Sequence, residues 1–518
     1  MPRTTQPLNN ALCLLCCALA ALCISTGSYS AEPTLAEPTP SKSAPEWNVE
    51  LEVERFKRLI GASSLSDFEV DWRAYMQDLA AGKVQPVPQQ HGATHWPKDR
   101  LTMRDGEIHQ GVLLEEEANN YKLLQIVCRP GKPLYMLSRR YDKASVAQVD
   151  RLSDEQRANL LKLIDDYRHR NQQLKIDKNN IQLGQRQGDF NRSWRTYRGE
   201  GFVLESTADE DTMRTVIVRI DQRMQALRQY LPPHIEPQRP LTISLLGSRD
   251  EYATYLAQLH IKVSNVALYD ARQNQVIAFN DRDQLTKRWE TAHAELRAHI
   301  LELERRKSEL AKALAAEAEE LRKKNFPQAA ITELMRLRQV KFNLESQQKS
   351  NEIIAARRKN ERLLEDMTEE AYRPLYHELF HAYLENFVFV HASRDVPRWL
   401  NEGLAQVFES GQMESGTLRI DAPDPVRLEK LTAELSRPDV LSLRELFSAP
   451  PQSFLAIHGQ QSAAANRLYL YSWGVAYYLA FARAMPGSDE QVGILGTPAL
   501  NRYVLDTAQP AAVKRQHP

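Results

Sequence analysis

The sequence predicts an α+β chain: a mixed sheet followed by helices, interrupted by a long antiparallel helical hairpin and preceded by a small β-barrel. Three observations predict it. Short alternating runs crowd residues 99–150, with turn residues between them. Strand-like and helix-like segments then share residues 200–282 before helical patterning takes over. Residues 283–370 are almost all helix formers, rich in Glu, Lys, Arg, Ala and Leu.

The chain has 518 residues, with 67 Lys+Arg against 67 Asp+Glu, so its formal net charge is zero. Bulk electrostatics therefore names neither a nucleic-acid nor a membrane partner. By length the chain holds about three or four units. Residues 1–30 read as a signal peptide: Arg3 in a short polar head, an apolar run over 11–24, and Ser28-Tyr29-Ser30 before Ala31. That run is too short to span a bilayer, and small residues stand where a signal peptidase reads. The expectation is export to the periplasm or the extracellular space, with no membrane span in the mature chain; a retained anchor is the alternative. Cys13, Cys16, Cys17 and Cys23 lie in the segment to be removed, which leaves Cys128 alone. No intrachain disulfide is then possible, and Cys128 reads as a buried strand residue rather than a nucleophile. Residues 31–46, rich in Pro, Ser and Thr, read as an exposed linker.

Residues 47–85 carry a helical pattern through Val53, Phe56, Leu59 and Ile60, then Phe68, Trp72, Tyr75, Met76 and Leu79. Pro86 and Pro88 end it. Residues 97–150 hold short strands at Arg100–Met103, Ile108–Leu114, Tyr121–Cys128, Leu134–Leu137 and Ser145–Val149. Asp105-Gly106, Asn119-Asn120 and Pro130-Gly131 mark turns between them. Five short strands in so few residues suggest a small barrel of the Sm-like or SH3-like type, suited to holding a peptide or another domain. Within residues 151–195, Ser153 caps a helix to about Gln172 that leads into a polar connector near 184–193.

From Gly201 the pattern reads strand Phe202–Ser206, helix Asp209–Leu231, strand Leu241–Leu246 and helix Ser248–Leu259. A hairpin of Val266–Tyr269 with Gln275–Asn280 follows. In residues 283–370, apolar residues recur at helical spacing: Leu285, Trp289, Leu296, Ile300, Leu303, Leu310, Leu314 and Leu321, then Ile331, Leu334, Leu337, Phe342 and Leu344. Asn325-Phe326-Pro327 breaks the run, since proline disfavours helix at the residue before it. The reading is two antiparallel helices of about 40 residues, each roughly 60 Å long. They serve as a solvated spacer with paired charges, or as an arm that docks a protein partner or gates a cleft.

Residues 371–508 carry the chemistry. Tyr376-His377-Glu378-Leu379-Phe380-His381-Ala382-Tyr383 reads as one helix with the pattern H-E-x-x-H. One turn separates His377 from His381, so both imidazoles leave the same face and can meet one metal ion. Glu378 lies close enough to activate a water at that metal. Hydrolytic zinc sites take a third protein ligand and leave a position to water. Glu402 is available for that role. It lies in Pro397-Arg398-Trp399-Leu400-Asn401-Glu402-Gly403, which starts a second helix after the polar loop 391–395. Two imidazoles and one carboxylate suit Zn2+, although spacing alone does not exclude another transition metal. The bland alternative, histidines that merely bond within a buried core, leaves Glu378 and Glu402 unexplained. Further on, Thr417–Ile420 reads as a strand, Pro425–Leu435 as a helix, and Asn466–Ala484 as a buried aromatic helix; residues 509–518 read as a tail.

HELFHAY with WLNEGLA resembles the gluzincin metallopeptidases of the peptidase MA-like clan. The order of parts is similar to a bacterial family of secreted proteins known only as a domain of unknown function, over residues 200–285 and 370–485. The resemblance implies a gluzincin-like catalytic domain in which the sheet precedes the site helix and its edge binds extended substrate. Order along the chain assigns that edge to Gln275–Asn280. It also implies that Tyr469, one turn before Ser472-Trp473, donates to the developing oxyanion, with Tyr471 as its neighbour. Thermolysin-like members carry an aspartate one turn after the distal glutamate; here that position is Gln406. The Gly-x-Met-Glu-Asn segment of aminopeptidases is missing, which makes that activity a poorer match. A gluzincin core does not need the 283–370 hairpin.

The expected function is hydrolysis of peptide or protein substrates by a zinc-activated water, with Glu378 as general base and Glu385 or Asp395 orienting the histidines. Two other readings stay open: a non-catalytic, metal-binding scaffold that uses barrel and arm for assembly, and a zinc hydrolase acting on a non-peptide envelope amide.

Overall fold

In the computed structural model, the described residues are 49–508, apart from 63, 85–94, 188–192, 238, 262–264, 281, 390, 415–416, 421, 451–452, 455–462 and 483–492. The predicted signal peptide and linker (1–46) and the tail (509–518) lie outside them. Residues from Trp47 onward form a single compact unit. Helices and mixed sheets share it, as an α+β chain.

The first two helices, α1 (Val49–Ile60) and α2 (Leu65–Ala80), bury Phe56, Phe68 and Trp72. Ser64 caps α2 by accepting from the Asp67 N–H at 3.4 Å. These helices join the main core: Phe56 meets Trp399 at 5.7 Å between ring centroids, and Trp72 meets Tyr471 at 5.8 Å. α1 and α2 are therefore part of the same core as Trp399 and Tyr471.

Five strands follow: β1 (Asp99–Met103), β2 (Ile108–Glu116), β3 (Asn120–Arg129), β4 (Lys132–Asp142) and β5 (Val146–Asp150). They pair antiparallel in the order β4-β3-β2-β1-β5. Cys128 lies in β3, half-buried. Ser153 and Gln156 form a capping box for α3 (Asp154–Asn180), whose Leu160, Ile164 and Tyr167 pack on Val112, Leu124, Ile126 and Leu134.

The second sheet uses β6 (Gly184–Gln187), β7 (Ser193–Arg198), β8 (Phe202–Ser206), β9 (Leu241–Leu246), β10 (Ala267–Asp270) and β11 (Gln275–Phe279). Between them lie α4 (Glu210–Tyr230) and α5 (Arg249–Gln258), capped by Asp209 and Ser248. The order is β10-β11-β9-β8-β7-β6; β8, β9 and β11 run parallel, while β10, β7 and β6 pair antiparallel. The polar connector expected near 184–193 thus holds an edge strand. Every residue of β6 is exposed, so backbone pairing forms it without an apolar face that a sequence would reveal.

Two long helices come next, α6 (Arg282–Lys323) and α7 (Gln328–Tyr383). The turn between them uses Asn325 at φ 61° and Pro327 as the N-cap. Arg338 reaches Glu317 across the pair at 3.3 Å. Two residues expected on the covered face, Leu337 and Leu344, are 50% and 64% exposed, whereas Ile331 is buried. The second helix does not stop near residue 370. It continues unbroken for 56 residues, through Pro374, into the H-E-x-x-H segment.

A π-helical turn (Leu384–Val388) ends α7, followed by the short α8 (Ala392–Asp395) and by α9 (Arg398–Glu409). Then come β12 (Gln412–Glu414), β13 (Thr417–Arg419), α10 (Pro425–Leu435), α11 (Leu443–Ser448), α12 (Ala463–Phe481) and α13 (Pro498–Ala508). The β12–β13 hairpin ties α9 to the first sheet: Glu414 accepts from the Leu134 N–H at 2.7 Å, and Arg419 donates to the Arg129 carbonyl at 2.8 Å. Among the described residues, no helix is long and apolar enough to cross a membrane.

Candidate metal centre

α7 and α9 converge on one point. His377 Nε2 and His381 Nε2 lie 3.1 Å apart. Glu402 Oε2 is 3.2 Å from His377 Nε2, and its Oε1 is 3.6 Å from His381 Nε2. Among the described residues these three form the group able to hold a metal ion, with ligand atoms all within 4.8 Å of one another. Donors ~2 Å from a tetrahedral ion stand roughly 3.3 Å from each other. The two ring nitrogens, and each ring nitrogen with its nearer Glu402 oxygen, stand at about that spacing.

The partners behind the rings sharpen the fit. His377 Nδ1 lies 2.6 Å from Glu409 Oε2, and His381 Nδ1 lies 2.8 Å from Asn401 Oδ1. Both partners accept, so each Nδ1 is placed to donate, and each Nε2, once free of a proton, turns its lone pair toward the other ring and toward the Glu402 carboxylate. Three acceptors facing each other are stabilised by positive charge among them, which a proton on His377 or a metal ion can supply beside Arg398. The expected orienting residues were Glu385 and Asp395. Glu385 instead lies 4.0 Å from His391 Nδ1, and Glu409 and Asn401 take the histidines. Glu409 stands seven residues, two turns, beyond Glu402 on the same helix face, and that periodicity was a usable signal.

The two pKa shifts describe the centre with a proton rather than an ion in it. Burial works against a charged His377, yet Glu409 and Glu402 outweigh it and hold its pKa well above the usual histidine value. Burial likewise opposes ionised Glu402, but His381, Arg398 and His377 keep its pKa well below the usual carboxylate range. Arg398 Nη2 sits 2.7 Å from Glu402 Oε1. Arg427 pairs with Glu409. A proton bound tightly by His377 competes with a metal ion, so metal affinity is expected to rise as pH rises through and above neutrality, with protons released on binding. Titration calorimetry in buffers of different ionisation enthalpy counts them; zero release would contradict the site.

The base and hydroxyl expected from the sequence also lie here. Glu378 Oε2 accepts from the backbone N–H of Tyr269 at 2.8 Å, and burial raises its pKa. The Tyr469 hydroxyl donates to the Phe454 carbonyl at 3.1 Å. Burial pushes its pKa up, and the nearby Glu402 and Glu378 charges push it further, while Arg398 opposes them. Tyr471 points elsewhere: its hydroxyl accepts from the Leu441 N–H at 3.3 Å, and its ring meets Trp72. Gln406 donates to the Glu402 and Tyr469 carbonyls at 3.2 and 3.0 Å, and so ties α9 to α12.

One expectation is corrected. Gln275–Asn280 was assigned as the substrate-facing edge, but β11 is paired on both sides, with β10 and with β9. The edge strand is β10, and it is β10 that touches Glu378. Chain order cannot reveal that the last strand of a hairpin folds inward.

Gly403 explains why α9 comes so close to α12. A Cβ there would run into the Ser472 carbonyl and lie 2.8 Å from the Ala476 Cβ. Gly403→Ala is therefore expected to destabilise the fold by about 1–3 kcal/mol, the usual cost of overpacking. Thermal melting checks it, and an unchanged midpoint would show that the helices separate freely.

Residues 373–488, which contain His377, Glu378, His381, Glu402 and Tyr469, match a family described as "Protein of unknown function (DUF1570)". No curated protein and no solved structure matches the chain.

Proposed function

We propose that this chain is an exported, periplasmic or extracellular, zinc-dependent metallopeptidase of the gluzincin type, acting on peptide or protein substrates. The observation that carries the reading is the convergence of two Nε2 lone pairs and one carboxylate, with Glu378 beside them. In this reading His377, His381 and Glu402 hold the ion. A bound zinc ion supplies Lewis acidity, lowering the pKa of a water and polarising the scissile carbonyl. Glu378 takes the proton of the attacking water and returns it to the leaving amine. Its raised pKa suits that exchange, because a base too acidic would not hold the proton. Tyr469 exchanges the Phe454 carbonyl for the developing oxyanion. The β10 edge receives an extended substrate backbone by strand addition.

The second sheet with α7 and α9 is then the gluzincin-like catalytic domain, and α6 with the first part of α7 is a helical-hairpin insertion in it. The first sheet, with its 3₁₀ turn at Lys143–Ser145 between β4 and β5, is read as the small Sm-like or SH3-like barrel. Barrel and arm are the places for a protein partner.

The test is metal content of the purified protein together with mass-spectrometric identification of cleavage products from casein. Cleavage that a chelator abolishes and zinc restores is the expected result. Stoichiometric metal without cleavage would overturn the peptidase and favour a metal-binding scaffold or a hydrolase of a non-peptide amide. Cleavage indifferent to the chelator would remove the metal from the reaction.

A further inference from the structure

Behind the edge strand lies a buried polar clasp that the proposed chemistry has not used. Asn386 belongs to the π-helical turn that ends α7, and Asn274 closes the turn between β10 and β11. Their side-chain amides pair reciprocally: Asn274 Nδ2 donates to Asn386 Oδ1 at 2.8 Å, and Asn386 Nδ2 donates to Asn274 Oδ1 at 2.7 Å. Asn386 also donates to the Ala382 carbonyl at 2.8 Å, one turn back on the site helix. Both asparagines are buried, at 6% and 7% exposure.

The clasp holds one residue in particular. The Tyr269 hydroxyl donates to Asn274 Oδ1 at 3.1 Å, and the Tyr269 backbone N–H donates to Glu378 Oε2 at 2.8 Å. Tyr269 is therefore fixed at its side chain by the clasp and at its backbone by the base. Asn274 takes a left-handed φ of 53°, and its own carbonyl accepts from the Thr242 N–H at 3.1 Å, which anchors the turn to β9. An apolar pair would fill the same space without fixing distance or orientation, whereas a saturated amide pair fixes both. π-Helical turns are often retained where a functional side chain must be aimed.

We propose that Asn274 and Asn386 are positioning residues: their amide pair locks the β10 edge to the end of α7, so that the Tyr269 amide aims the Glu378 carboxylate. The inference rests on the peptidase reading of Glu378. Two variants test it, Asn274→Gly and Asn386→Ala, with the double variant. Glycine keeps the left-handed turn, so Asn274→Gly removes the amide without straining the backbone.

The expected result has three parts. Metal content stays at the wild-type value. Hydrogen exchange rises in the 267–270 segment but not across 377–383. With a peptide identified from the casein digest, kcat falls about ten- to a hundredfold, the scale of a displaced catalytic group. The double variant is expected to lose no more than the worse single one, because the pair acts as a unit. A merely structural role would lower the melting temperature yet leave kcat per bound metal intact. Such a result, or exchange unchanged at 267–270, or additive losses, would overturn the proposal. A wild-type protein that cleaves nothing would sink the peptidase reading instead, and the exchange measurement would still decide whether the clasp holds the strand.

Discussion

Glu378→Gln should retain its metal and lose hydrolysis by about a thousandfold or more, toward the upper end for a general base. The reason is that Glu378 is not one of the three residues whose ligand atoms converge. Its Oε2 takes the Tyr269 N–H, and the ligand set of His377, His381 and Glu402 is complete without it. Glutamine keeps the volume and can still accept that N–H, so fold and ion-binding geometry should survive. What disappears is the ability to take a proton from water. Elemental analysis and turnover, measured on the same preparation, separate the two effects. Undiminished turnover would discard the assignment.

Glu402→Ala should empty the centre. Glu402 is 1% exposed, and its oxygens are held by His377, His381 and Arg398. Its removal leaves two imidazoles, one ligand fewer than zinc sites of this kind require. The loss of metal affinity should exceed the roughly 10–100-fold typical of removing an outer partner. Glu409→Gln provides that comparison, since Glu409 touches His377 only through Nδ1. Competition with a chromogenic chelator ranks the variants. Equal losses would mean that Glu402 orients rather than ligates.

The legible parts of this protein are those that local periodicity sets. His377 and His381 share a face because a helix repeats every 3.6 residues. The strands of the second sheet from Phe202 to Phe279 were readable for the same kind of reason: short runs rich in apolar residues, with helix caps such as Asp209 and Ser248 between them. The break at Asn325-Phe326-Pro327 was equally local. β6 was not legible, because it is polar throughout and owes its existence to pairing with β7. Nor was the continuity of α7, since helical composition does not say where one functional segment ends and the next begins.

By itself the sequence determined the α+β class, the paired histidines, Glu378 next to them and the glutamate of the following helix. The tertiary structure alone decided what each of these faces. Which strand is the edge, whether Tyr469 or Tyr471 reaches the centre, and that Glu409 and Asn401 back the imidazoles all depend on how α7, α9 and α12 cross. That crossing is set by contacts between residues far apart in the chain, such as Gly403 against Ser472, and no pattern confined to one segment encodes them.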